Sequence, residues 1–169
     1  DVSFKNEIEK AISNSKIKVL ENYIYNTDPT KLTKQIEKIT RYEIRKQNLE
    51  DEINRLEKSE QNNKERLIER LKKRDTLGSV KFDSVVISDF DESLKSVTTS
   101  LLYTDISPKE KYFITLNQWF DKSLLKEASS QPLYFPSANK DNYDEFSNEY
   151  FKKYNQYPNQ LSFLSYDLV

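Results

Sequence analysis

Two stretches place chemistry-bearing side chains directly behind runs suited to a buried strand. In the first, Val85-Val-Ile-Ser-Asp-Phe-Asp-Glu92, an apolar run ends in Asp89-Phe90-Asp91. An Asp-x-Asp at the carboxyl end of a strand has the spacing for phosphoryl transfer: one carboxylate attacks phosphorus and the other works as acid/base beside Mg²⁺. The plainer reading is that Asp91 or Ser93 caps the helix that follows. In the second stretch, Thr115-Leu-Asn-Gln-Trp-Phe120, Asn117 and Gln118 both donate and accept, and Trp119 offers a large ring. That mixture suits a small-molecule cleft, because strand carboxyl ends in open α/β sheets are where ligands sit. The alternative is a core Trp119 and an Asn117 that satisfies a turn. Ser93 and Lys95, two apart on a helix, point to different faces and form no dyad.

Composition removes most other chemistry. The 169 residues hold no Cys and no His, so thiol nucleophiles, zinc fingers and Ser-His-Asp triads are excluded. A single glycine, Gly78, rules out the glycine-rich phosphate loops. No cofactor is implied. Charge is balanced, 27 Lys+Arg against 28 Asp+Glu, which argues against a nucleic-acid partner. The balance is uneven, however: Lys31 to Asp75 holds 14 basic and 10 acidic residues, a net of +4, so any anion-seeking surface lies there. The lack of cysteine leaves the compartment open. No apolar run approaches the roughly 18 residues of a membrane span. No signal peptide opens the chain, and both ends read as cuts in a longer mature protein.

The elements that must position these residues are legible from periodicity. Phe4, Ile8, Ala11 and Ile12 follow helical spacing, and Ile17 to Tyr25 is rich in β-branched and aromatic residues, the composition of a strand. Thr27-Asp28-Pro29 starts a helix. From Ile39 through Tyr42, Lys46, Leu49 and Ile53 to Leu56 the steps alternate three and four, which predicts one long helix to about Ser59. Such a helix would be on the order of 45 Å long. Leu67, Ile68 and Leu71 mark a shorter helix that folds back on it. Strands follow at Phe82–Ser88, Lys111–Leu116 and Pro132–Phe135. They alternate with helices over Ser93–Leu102, around Leu124-Leu125 and over Asp144–Tyr154, before a last apolar run, Leu161–Val169. Alternation of this kind gives βαβ units and a parallel sheet. The expected fold is therefore α/β, an open parallel sheet flanked by helices with an inserted antiparallel helical hairpin. Residues 1–30 start the lobe, 31–77 form the hairpin and 78–169 complete the lobe.

The order of these pieces resembles one lobe of the type 1 periplasmic solute-binding proteins, the group of the leucine/isoleucine/valine-binding protein. The carrying segments are Phe82-Asp-Ser-Val-Val-Ile-Ser-Asp-Phe90, Tyr112-Phe-Ile-Thr-Leu-Asn-Gln-Trp119, Leu124-Leu125, Leu133-Tyr-Phe135 and the Phe146 to Asp167 aromatic series. Asp75-Thr-Leu-Gly78 ahead of Phe82-Asp83 is similar to the branch of penicillin-binding protein activators, which are outer-membrane lipoproteins. The resemblance implies a non-enzymatic lobe in the periplasm that closes on a small polar ligand, with Asp89, Phe90, Asn117, Gln118 and Trp119 facing the cleft. It also implies peripheral membrane attachment if the protein is lipidated. In amino-acid binders of the group Phe90 matches a ligand-contacting aromatic, whereas the place of the acidic partner for the ligand ammonium holds the neutral Asn117-Gln118. A neutral amide forfeits a charge-assisted bond. The hairpin is foreign to the simple transporters and is expected to dock a protein partner, here one of cell-wall synthesis. Two alternatives stand beside this reading: an amino-acid transport component, and a haloacid-dehalogenase-like phosphatase using Asp89 and Asp91.

Overall fold

A computed structural model of the protein describes residues 6, 9–26, 28–89, 91–116, 126–136, 140–159 and 162. Three strands, β1 (Ser84–Ile87), β2 (Tyr112–Thr115) and β3 (Leu133–Tyr134), form a parallel sheet in that order. The registers Val85↔Phe113 and Phe113↔Leu133 set one face, and Val86↔Ile114 and Ile114↔Tyr134 the other. Among the described residues, helices α1 (Pro29–Thr40), α2 (Tyr42–Glu57), α3 (Lys64–Leu71), α4 (Asp91–Tyr103) and α5 (Lys140–Tyr154) accompany them, and residues 9–12 are helical as well.

The core is one-sided. Ile87, Phe113 and Leu133 point into a cluster with Leu32 and Ile36 of α1, Leu94, Val97 and Leu101 of α4, and Ile106. Leu32 and Ile36 lie one turn apart, so α1 turns a single stripe toward α4, and Thr33 and Ser100 hydroxyls meet between them at 3.1 Å. Burying a side chain of this kind contributes on the order of 2 kcal/mol. The other face departs from expectation. An all-parallel strand is ordinarily covered on both sides, yet Val86 is 53% exposed, and Tyr112 and Tyr134 form an exposed ring pair with centroids 5.5 Å apart.

Two further expectations need correction. Ile17–Tyr25 forms no strand: residues 17–24 are irregular, and their apolar side chains stand exposed, Ile24 at 88%. Strand propensity reflects packing on neighbouring strands, and this segment has no ladder partner among the described residues. The long helix is also two helices. Arg41 adopts φ 53, ψ 40, in the left-handed region, and separates α1 from α2. The rotation at Arg41 brings Arg45 inward, 5% exposed, and leaves the seam position Lys46 exposed; Leu49 and Leu56 stay buried. The helix read at the start of the chain is present over the described residues 9–12, whereas Phe4 and Ile8, the lead around Leu124-Leu125 and most of 161–169 lie outside the described residues.

A chain with one glycine must end its helices on other residues. Asp105 (φ 60) closes α4 in a Schellman motif, with Ile106 N–H donating to Leu101 O at 3.0 Å and Asp105 N–H to Leu102 O at 2.9 Å. Asp and Asn tolerate this backbone region; Arg41 does so at a cost of about 1 kcal/mol. The break frees the carbonyl of Thr40, and Arg45 takes it up, Nε to Thr40 O at 3.0 Å. The same guanidinium donates to Thr76 Oγ1 at 3.1 Å and to Thr104 O. Thr76 in turn donates to Asp105 Oδ2 at 2.6 Å. Arg45 therefore sits where the negative ends of α1 and α4 converge on the return strand of the hairpin. Burial pulls its pKa down, and the charge of Asp105 opposes that pull. Gly78 (φ 111) lies beside Arg45 and Asn48, where the chain leaves the hairpin for β1.

Arg45→Met keeps the length and removes every bond, so it strands two helix-end carbonyls and the Asp105 charge. Urea denaturation is expected to show a loss of about 3 kcal/mol, with Arg45→Lys recovering only part because an ammonium cannot reproduce the fork.

Candidate functional site

Parallel strands finish at a common edge, and the register Ile87↔Thr115 puts the ends of β1 and β2 side by side. Thr115 stitches them: its buried hydroxyl reaches Ile87 O at 2.9 Å and Asp89 O at 3.3 Å. This fixes the main chain that carries Asp89 at the rim. The Asp89 carboxylate accepts a hydrogen bond from the phenol of Tyr25. Tyr25 is itself held from both sides by Gln35 of α1, whose Oε1 accepts from Asn26 N–H at 2.9 Å and whose Nε2 donates to Ile24 O at 3.4 Å. Burial first, then the bond to Asp89 and its charge, push the Tyr25 phenol far above its ordinary pKa.

An open cleft of about 320 Å³ lies at this rim. Pro29 and Leu32 of α1 give it an apolar wall; Glu92, Ser93 and Ser96 in the first turns of α4 give it a polar one; Tyr25 lies between. Asp28 caps α1 just behind, accepting from Thr30 N–H at 3.0 Å. The hydroxyls of Ser93 and Ser96 and the carboxylate of Glu92 make no hydrogen bond or ion pair among the described residues. The cleft thus offers donors, acceptors, one carboxylate and an aromatic edge to a molecule with both polar and apolar parts.

Of the residues singled out from the sequence, Asp89 follows β1 and accepts from Tyr25, but it is not one of the residues that line the cleft. Asp91 is the first residue of α4 and adopts φ 49, in the left-handed region. Phe90, Asn117, Gln118 and Trp119 lie outside the described residues. Sequence reasoning missed the cleft wall of Glu92, Ser93 and Ser96, and the positioning residues Thr115 and Gln35. One signal was available: Ser93 and Ser96 sit three apart beside the core stripe of Leu94 and Val97, so they share the margin of that stripe. Among the described residues no group of three or more acidic side chains could hold a metal ion. Comparison with known proteins found no match: no protein-family model, no curated protein and no solved structure is similar to this chain.

The Tyr25 bond gives a pH signature. Its folded-state pKa is raised above the unfolded value of 10.0, so its stabilisation is complete below that pH and declines as pH rises above it. Tyr25→Phe is expected to lower stability by about 1.5 kcal/mol at neutral pH in chemical denaturation. The gap between the two proteins should narrow above pH 10.0, while the other tyrosines cancel in the comparison. A gap that stays constant with pH contradicts the assignment.

Proposed function

We propose that this chain is a non-enzymatic ligand-binding lobe, in the manner of the type 1 periplasmic solute-binding proteins, and that the rim cleft receives a small polar ligand. The observation that carries this reading is the mixed cleft at the carboxyl ends of parallel strands, polar on Glu92, Ser93 and Ser96 and apolar on Pro29 and Leu32. Such a lobe works by closing on its ligand together with a partner lobe, a shift between two populations. The periplasm, with attachment to the outer membrane through a lipid anchor, is the compartment this reading proposes. Phe90, Asn117, Gln118 and Trp119 are proposed to complete the ligand contacts.

The hairpin of α2 and α3 supports a regulatory version, in which the lobe reports to a protein of cell-wall synthesis through this arm. The arm is joined to the root end of α4, away from the cleft, so docking there and binding at the rim do not compete for surface. The amino-acid transport version needs only the rim. The phosphatase version is the less favoured. Its nucleophile, Asp89, is engaged by the Tyr25 phenol, which competes for the carboxylate oxygens that an attack on phosphorus requires.

Thermal-shift and calorimetric titration of the protein with the common L-amino acids and with a D-alanyl dipeptide tests the reading. At least one ligand is expected to raise the Tm, and Ser96→Trp, which fills the cleft, is expected to abolish the shift. Silence across the panel contradicts the binding reading. Mg²⁺-dependent release of phosphate from an aryl phosphate, lost in Asp89→Asn, would replace it with the phosphatase.

A further inference from the structure

Charge in the hairpin is sorted between its two helices. From Lys64 to Arg74 there are six cations and two carboxylates, whereas α2 carries three cations and five carboxylates. The +4 excess read across Lys31–Asp75 is therefore matched by α3 and the turn behind it alone. Two of the six cations are occupied. Lys64 Nζ donates to Glu57 O at 3.2 Å and Ser59 O at 3.0 Å, closing the C-terminus of α2. Lys73 pairs with Glu69 at 3.0 Å.

The remaining four, Arg66, Arg70, Lys72 and Arg74, are exposed, and their side chains make no hydrogen bond or ion pair among the described residues. Arg66 and Arg70 are one turn apart, about 6 Å along the axis. They flank Leu67, Ile68 and Leu71, which are half-buried where α3 meets α2. Two carboxylates, Glu65 and Glu69, share α3 and Asp75 follows Arg74, yet among the described residues none of them is ion-paired with these four cations. Four like charges held together on one arm repel one another, and an external anionic surface relieves that repulsion.

We propose that the outer face of α3, with the turn through Arg74, docks on an anionic lipid bilayer, its cations meeting headgroup phosphates. A single-stranded nucleic acid is the poorer fit, because base stacking needs exposed rings. The only aromatic in α2 and α3 is Tyr42, which is paired with Tyr103 at the root with centroids 5.6 Å apart. No helix among the described residues is long and apolar enough to cross a membrane, so this contact is peripheral and driven by charge.

Co-sedimentation of the whole chain with vesicles tests the proposal. Each Lys or Arg near an anionic surface is worth about fivefold in binding. The protein is expected to pellet with phosphatidylcholine–phosphatidylglycerol vesicles and to remain in solution with pure phosphatidylcholine, and the binding should weaken as salt is raised. Arg66→Gln with Arg70→Gln is expected to weaken it by about 25-fold. Gln matches Arg in helix propensity, and circular dichroism checks that the variant is folded. Lys16→Gln with Lys18→Gln, at exposed positions of the irregular N-terminal segment, should bind as the parent does. Pelleting with neither vesicle, equal pelleting with both, or an equal loss in the Lys16/Lys18 variant overturns the proposal. Tighter binding to a single-stranded oligonucleotide than to the vesicles, lost in the Arg66/Arg70 variant, overturns it in favour of a nucleic acid.

Discussion

A buried guanidinium joins the two parts of this molecule. Arg45 gives up its hydration and receives in return the carbonyls of Thr40 and Thr104 and the hydroxyl of Thr76, with Asp105 one bond further on. Desolvating a cation costs several kcal/mol, and only a site with its acceptors already in place can offset that. Here the acceptors are the ends of two helices, whose aligned peptide dipoles favour a positive charge at that point. Among the described residues no buried side-chain nitrogen or oxygen lacks a partner, so the network is closed.

From this anchor the polarity of the fold follows. α1 and α4 run together from the rim to the root: Pro29 faces Ser93 and Ser96 across the cleft at one end, Thr33 meets Ser100 midway, and Arg45 ties Thr40 to Thr104 at the other. The 13 residues of α4 put about 20 Å between these ends. The cleft, Tyr25 and Asp89 thus occupy one pole and the charged arm leaves from the other. A ligand at the rim and a surface under α3 are separate contacts on one body, connected through packed helices.

Much of this was readable in the residues. The Asp28-Pro29 start, the three short strands, their parallel order and the helix between the first two follow from periodicity and punctuation, because each local preference agrees with its tertiary surroundings. Three features were not legible. Arg41 carries no sign of a break, since neither Gly nor Pro marks it; the left-handed turn is imposed by the contacts of Thr40 and Arg45 on either side. Ile17–Tyr25 has the composition of a strand but lacks a neighbour to pair with, and composition cannot supply one. The rim cleft was not legible: none of its lining residues was singled out for it, and Tyr25 meets Asp89 from 64 positions away in sequence.

Native-state amide hydrogen exchange is the most direct test of the clamp. If Arg45 fuses hairpin and lobe into one cooperative unit, amides of α2 near the root should open with free energies close to those of α4 and β2, their protection within about tenfold. Amides from Arg45 to Leu49 that exchange hundreds of times faster than those of Val97 to Leu101 would show an arm hinged loosely on the sheet. The two-pole description would then be wrong.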